Sequence, residues 1–263
     1  MMSPLRALLA ALLLACGGSA PLSAGADDGM AALPAGSYLP FYTRESAKVL
    51  RRPSATKKTV AVAAFRLDRY PVSNGEYLGF VRRHPEWRRS RIAALFADAH
   101  YLSHWAGDVA LRDADDAARP VTNVSWFAAG AYCKAQGKTL PTTDQWEYAL
   151  ADGGRDAAAR KTAILAWYGV PATHALEPAR AAVANGYGVH GLIGLVWEWT
   201  RDFNSLMSGA DLRGSNSQFC GGGSLGATDA TDYAAFMRYS MRASLQASYT
   251  TRNLGFRCAS NAN

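Results

Sequence analysis

The sequence predicts a single α+β domain with little regular structure, and three observations carry that expectation. Capped, helix-periodic segments cluster in the first two-thirds of the chain. Beyond residue 160 almost no helical periodicity is present, and short apolar runs alternate with glycine-bearing turns. No composition shift, linker or internal repeat divides the 263 residues, a length that supports a sizeable core. With 49% hydrophobic, 19% charged and 11% aromatic residues, the composition excludes a disordered tail or a collagen-like chain.

Taken in order, the run from Ala32 to Tyr42 reads as an apolar strand, and a basic loop follows from Arg44 to Lys58. Thr59 to Asp68 reads as a second strand. A helix then starts within Pro71 to Val81. Ser73 is placed to cap it, Glu76 three residues later completes a capping box, and Tyr77, Phe80 and Val81 form its apolar stripe. Ser125 precedes a second helix over Trp126 to Gln136, and Gly137 stands where a left-handed terminal residue belongs. Thr142 or Thr143 caps a third helix from Asp144 to Leu150, ending near Gly153 and Gly154. Turns at 185–188 and 221–223 then separate short apolar runs.

Residues 1–26 read as an export signal, leaving residues 27–263 as the domain. Arg6 supplies the positive charge, and the apolar run from Ala7 to Ala15 is too short to span a bilayer. No other run reaches the ~18 residues of a membrane span, so none is expected. Two processing outcomes compete. Ala24-Gly25-Ala26 has the small-x-small pattern of ordinary cleavage, whereas Leu13-Leu14-Ala15-Cys16-Gly17 is similar to a lipobox that would anchor the chain through acylated Cys16. The Leu in the middle makes that box imperfect, whereas the stretch to Ala26 is long for the region before ordinary cleavage; the soluble exported, periplasmic form is favoured, with the lipoprotein as the alternative. Net charge is +7, densest from Arg82 to Arg91. No nucleic-acid-binding motif accompanies it, so a solvated arginine face is expected and nucleic acid is not a partner. Beyond the leader stand Cys133, Cys220 and Cys258. In an oxidising compartment two of these should pair and one remain, and no C-x-x-C or C-x-x-H spacing suggests a metal finger.

Several motifs then stand in one order along the chain. Asp68-Arg69-Tyr70-Pro71-Val72-Ser73-Asn74 is followed by Pro120-Val121-Thr122-Asn123-Val124-Ser125-Trp126 and Ala131-Tyr132-Cys133. Gly137 to Thr142, Gln145 to Ala149, and Gly194-Leu195-Val196-Trp197-Glu198-Trp199-Thr200 come next, then Gly222-Gly223-Ser224 and Asn253-Leu254-Gly255-Phe256-Arg257-Cys258. Together these resemble the formylglycine-generating enzyme (sulfatase-modifying factor) family over roughly residues 30 to 260. The resemblance implies a C-type-lectin-like fold. It also implies a disulfide between Cys133 and Cys258, which leaves Cys220 as a free thiol.

The departures from the family bear on chemistry. Catalytic relatives hold Cu(I) between two cysteines shortly after the Gly-Gly-Ser turn, where soft thiolates suit that ion. Here the stretch from Ser224 to Ala234 has no cysteine, so copper is not expected at that position. Of the family's calcium ligands, Gly194, Val196 and Glu198 remain, but the asparagine position is Gly191, which leaves a degenerate site for an ion that takes six or more oxygens. Otherwise no cofactor is assigned. The resemblance places Trp197 and Ser224 in a groove, with Asp229 and Asp232 in place of the thiols; Arg242 and Glu198 are read as a charge pair beneath it, a pairing that is structural more often than catalytic. The same residues also suit fold-defining turns and core aromatics. His100 and His104 have metal-ligand spacing on a helix but lack a third ligand. Met237 and Met241 suit an apolar stripe better than a soft-metal site. The sequence thus points to a maturation oxidase or accessory factor acting on an exported protein, peptide or small-molecule substrate. A non-catalytic binding module is the alternative.

Overall fold

The structure is a computed structural model that describes residues 28–39, 59–170, 175–204 and 230–262. Alternation in Phe65-Arg66-Leu67-Asp68 turns Phe65 and Leu67 inward, both buried, while Arg66 reaches outward to Asp28 at 2.7 Å. This segment, β4 (Phe65–Asp68), is the middle strand of an antiparallel sheet between β1 (Met30–Leu33) and β7 (Ala259–Asn261). Leu67 pairs with Ala31 on one side and Ala259 on the other. A second antiparallel ribbon joins β2 (Gly36–Tyr38) to β3 (Val60–Val62). The apolar runs expected as two continuous strands are therefore each divided between two sheets. In the first run the break falls at Pro34-Ala35, where proline has no amide to give a ladder. A parallel pair, β5 (Trp197–Glu198) with β6 (Leu254–Gly255), completes the strands.

The three expected helices are present. In α1 (Asn74–Arg83), the Ser73 side chain accepts from the Glu76 amide, and the Glu76 carboxylate accepts from the Ser73 amide at 2.7 Å. This is the capping box read from the sequence. Ser125 caps α2 (Trp126–Ala135), which ends at Gly137 with φ of +68°. Thr142, rather than Thr143, caps α3 (Thr143–Ala151), with Gln145 completing a second capping box. Two further helices overturn the expectation that helices give out after residue 160: α4 (Ala157–Tyr168) and α5 (Ala230–Ala243). The segment carrying His100 and His104 is a series of turns, with Leu102 at φ of +48°, so helical spacing does not apply there.

Two apolar clusters form the core. One gathers Tyr77, Phe80, Trp105, Tyr132, Leu254 and Phe256 around a disulfide between Cys133 and Cys258, both fully buried. The other fills the space between the β4 sheet and α3 with Leu33, Phe65, Leu67, Trp146 and Leu150. Each such side chain contributes roughly 1.5–3 kcal/mol by leaving water. The arginine cluster divides. Arg82 and Arg83 are exposed in the last turn of α1, but Arg89 donates to the carbonyls of Leu102 and Trp105 and ties a long loop down.

Candidate functional site

The elements nearest the expected groove are β5, β6 and the helices that flank them. Gly255 on β6 has no room for a side chain, since a Cβ would lie 2.6 Å from the Val121 carbonyl oxygen. That close approach seats β6 against the Val121 backbone, while β5 pairs with β6 through Trp197 N–H donating to the Asn253 carbonyl and Trp199 N–H to the Gly255 carbonyl. Glu198 then points into the core. Arg257 meets it bidentately, Nε to Oε2 and Nη2 to Oε1, each at 2.8 Å, and both side chains are 0% exposed. Trp146 Nε1 donates to the same Oε2 at 2.8 Å.

On the other side of Trp146 lies a second ionic cluster. Glu147 of α3 accepts from Arg238 through both oxygens, at 2.8 to 3.2 Å, and from Arg242 Nη1 at 2.8 Å. Burial opposes the ionised carboxylate, but the two guanidiniums override it and hold Glu147 down to about 2. The Arg242 guanidinium also sits 4.7 Å above the Trp146 ring. The expected Arg242–Glu198 pair is thus incorrect. Arg242 belongs to Glu147 and Glu198 to Arg257, because Arg238 and Arg242, four apart on α5, face α3, whereas Arg257 follows directly from β6.

Trp197 is half-buried and packs under the last turn of α4. It stacks on Tyr168 (centroids 5.3 Å apart, planes at 15°) and lies 5.0 Å from Trp167. Tyr168 in turn donates to the Ala234 carbonyl of α5 at 2.9 Å. Trp197, Arg242 and Glu198 are therefore brought into one neighbourhood bridged by Trp146, but each is already engaged by protein groups. Ser224, Asp229, Cys220 and the side chain of Asp232 lie outside the described residues. Sequence reasoning missed the Glu147–Arg238–Arg242 cluster and the Trp167–Tyr168 cover. The R-x-x-x-R spacing of Arg238 and Arg242 was the available signal for the first.

The calcium set does not fit. Both Glu198 oxygens serve Arg257 and Trp146, and the missing asparagine cannot be supplied at Gly191, where a Cβ would lie 2.4 Å from Leu195 Cδ1. Among the described residues no group of three or more His, Cys, Asp or Glu side chains could hold a metal. His100 is exposed, whereas His104 is half-buried with Nε2 3.3 Å from Asn74 Oδ1. Met241 packs on the first core cluster as an apolar stripe residue does.

Mixed short strands and capped helices, joined through a buried Glu-Trp-Arg junction, define the class: a single-domain fold of the formylglycine-generating-enzyme type. PvdO from Pseudomonas aeruginosa shares that fold, with a TM-score of 0.50 over 89% of this chain and 94% of that one at 18% identity. The model of the sulfatase-modifying factor enzyme 1-like domain matches residues 20–262, and the chain belongs to that family. Its relatives include the mouse inactive C-alpha-formylglycine-generating enzyme 2, 28% identical over 90% of this chain and 87% of that protein. The bovine formylglycine-generating enzyme is 25% identical over 88% and 74%. Hercynine oxygenase of Mycobacterium tuberculosis is 32% identical over 54% and 38%. No helix among the described residues is long and apolar enough to cross a membrane.

Proposed function

We propose that this chain is an exported accessory maturation factor that does not generate formylglycine by two-cysteine copper chemistry. It engages a peptide, cofactor or partner enzyme in a groove at Trp197. The observation that carries this reading is the accounting of thiols. With Cys133 joined to Cys258, Cys220 is the one cysteine left beyond residue 26, and a single thiolate does not make the two-coordinate copper site. The engagement of Arg242 and Glu198 by buried partners supports the same reading, since neither is left to handle substrate. Ser224, Asp229 and Asp232, which lie at or beyond the edge of the described residues, are assigned to that groove by the family resemblance alone, and carboxylates suit a basic group or hard cation better than a soft metal. Residues 1–26 serve as the export signal in this reading.

The test is a sulfatase-type cysteine peptide incubated with the protein and Cu(I), read by mass spectrometry. No aldehyde product is expected, and turnover would overturn the proposal. A second reading, an oxidase with a different centre, is favoured by the similarity to hercynine oxygenase, a protein named for an oxygen reaction. Metal analysis of the folded protein separates the two: stoichiometric copper or iron supports the oxidase, and neither metal supports the accessory factor.

A further inference from the structure

From Ile92 to Ala97 the chain reads Ile-Ala-Ala-Leu-Phe-Ala, side chains without a polar atom, and Ala93, Ala94, Leu95 and Phe96 are all exposed. Leu95 is 76% exposed and Phe96 39%. A single exposed leucine is ordinary, but a consecutive exposed apolar run costs solubility and marks a surface that meets something other than water. The run is not a loose end. Ile92 N–H donates to the Arg88 carbonyl, Phe96 N–H closes a turn on the Ala93 carbonyl at 2.8 Å, and Asp98 N–H is fastened to the Ser248 carbonyl. Ile92 and Trp87 pack on the first core cluster, and the Phe96 ring lies 5.9 Å from Trp87 and 5.3 Å from Phe127. The turn is thus rooted at both ends while Leu95 stands out in solvent.

The chain leading into the turn is basic, with Arg82, Arg83, Arg88, Arg89 and Arg91 between the end of α1 and Ile92. Arg88 and Arg89 donate to the carbonyls of Val81 and Leu102, which holds the side chains without neutralising them. The acids beside them are Glu86, 3.4 Å from His84, Asp108, which accepts from Ser90, and Asp98, which accepts from the amides of His100 and Thr250. Counted in full, these three carboxylates leave the five arginines in excess. The acidic run from Asp113 to Asp116 packs at the Asn74 end of α1, away from its Arg83 end. We infer that this face rests on an anionic phospholipid bilayer, with Leu95 and Phe96 entering the boundary between headgroups and acyl chains and Arg88 and Arg91 meeting the phosphates. Apolar insertion beside a basic cluster is how a surface-bound protein holds such a membrane without spanning it. A protein partner would seek hydrogen bonds that six apolar side chains do not offer, whereas an acyl layer asks for none. A second copy of the chain would set arginines against arginines. The contact depends on neither residues 1–26 nor the groove at Trp197.

The probe is unilamellar vesicles of equal parts phosphatidylglycerol and phosphatidylcholine, added to the full chain and read by hydrogen–deuterium exchange of the peptide spanning 88–97. That readout is local, so binding through the apolar leader does not register in it. Vesicles are expected to slow exchange at 92–97, phosphatidylcholine alone to have no such effect, and high salt to reverse most of the protection. Leu95→Ser should weaken the protective binding about tenfold and Arg91→Gln about fivefold, the loss expected for one cation at an anionic surface. Both should leave Tm unchanged, since both side chains are exposed, which separates a lost contact from a lost fold. Leu95→Trp should bind at least as tightly as the parent, because indole favours the headgroup boundary. Unchanged exchange at 92–97 with phosphatidylglycerol vesicles overturns the proposal. So do equal protection by phosphatidylcholine and binding indifferent to Leu95→Ser. Protection matched by polyglutamate without vesicles assigns the face to an acidic protein, and protection that grows with protein concentration alone assigns it to a second copy; either result overturns the membrane reading.

Discussion

Arg257 is wholly buried and makes five hydrogen bonds, two to Glu198 and one each to the carbonyls of Asp68, Arg69 and His190. Removing one partner of such a pair leaves the other charge uncompensated in the core. Glu198→Gln and Arg257→Lys should each cost about 3–5 kcal/mol in urea unfolding. The double change to apolar residues of similar size should cost less than the sum of the two single losses. His104 carries a pH prediction. Burial lowers its ionisation to about 4, below the ~6.5 of an unfolded chain. The unfolded state thus binds the proton first as pH falls. The stability His104 contributes is complete above about 6.5 and lost progressively towards 4, amounting to roughly 2–3 kcal/mol. His104→Gln should flatten that part of the stability–pH curve. The His100/His104 spacing was legible in the sequence, but its meaning was not, because periodicity cannot reveal that the segment is a run of turns. Arg238 and Arg242 show the converse: their spacing was a true helical signal that the surrounding irregular sequence concealed.

Among the elements, α1, α2 and α3 were legible because each announces itself through a side-chain cap before an apolar stripe. α4 has no such announcement. It begins after Asp156, whose side chain makes no cap hydrogen bond, and its sequence AAARKTAILAWY buries only Ile164 fully. It is held by what Trp167 and Tyr168 cover, a tertiary cause that local reading does not see. Trp167→Ala should therefore open Trp197 to water, measured as a red shift and increased quenching of tryptophan emission, with little loss of overall fold. The disulfide ties α2 to the segment before β7 across a sequence separation of 125. On a chain-entropy model a loop of that size contributes about 4–5 kcal/mol. Cys133→Ala with Cys258→Ala should lower stability by about that amount in urea, and a reductant should reproduce the loss in the parent chain but not in the double variant.

At the scale of the whole molecule, the α+β class and the order of the motifs were legible, whereas the pairing of strands was not. Nothing in the Phe65 to Asp68 stretch says that one of its neighbours is β7, because strand partners so far apart in sequence leave no local mark. The same distance limits what the expected groove residues could reveal: Arg242 was read against the nearest motif acid, and the true partner, Glu147, came from a helix earlier in the chain. Cys258 N–H bonds to the Asp68 carboxylate across 190 positions, and Phe65 pairs with Asn261. Translation proceeds from the other end, so β4 emerges from the ribosome long before one of its two neighbours has been synthesised. Until then its edge is unpaired and open to association with other chains. A nascent chain of this design is therefore expected to remain incompletely folded until its last strand has been made. A chain ended after Gly255 should remain in that state, lacking near-ultraviolet circular dichroism even with every earlier element intact.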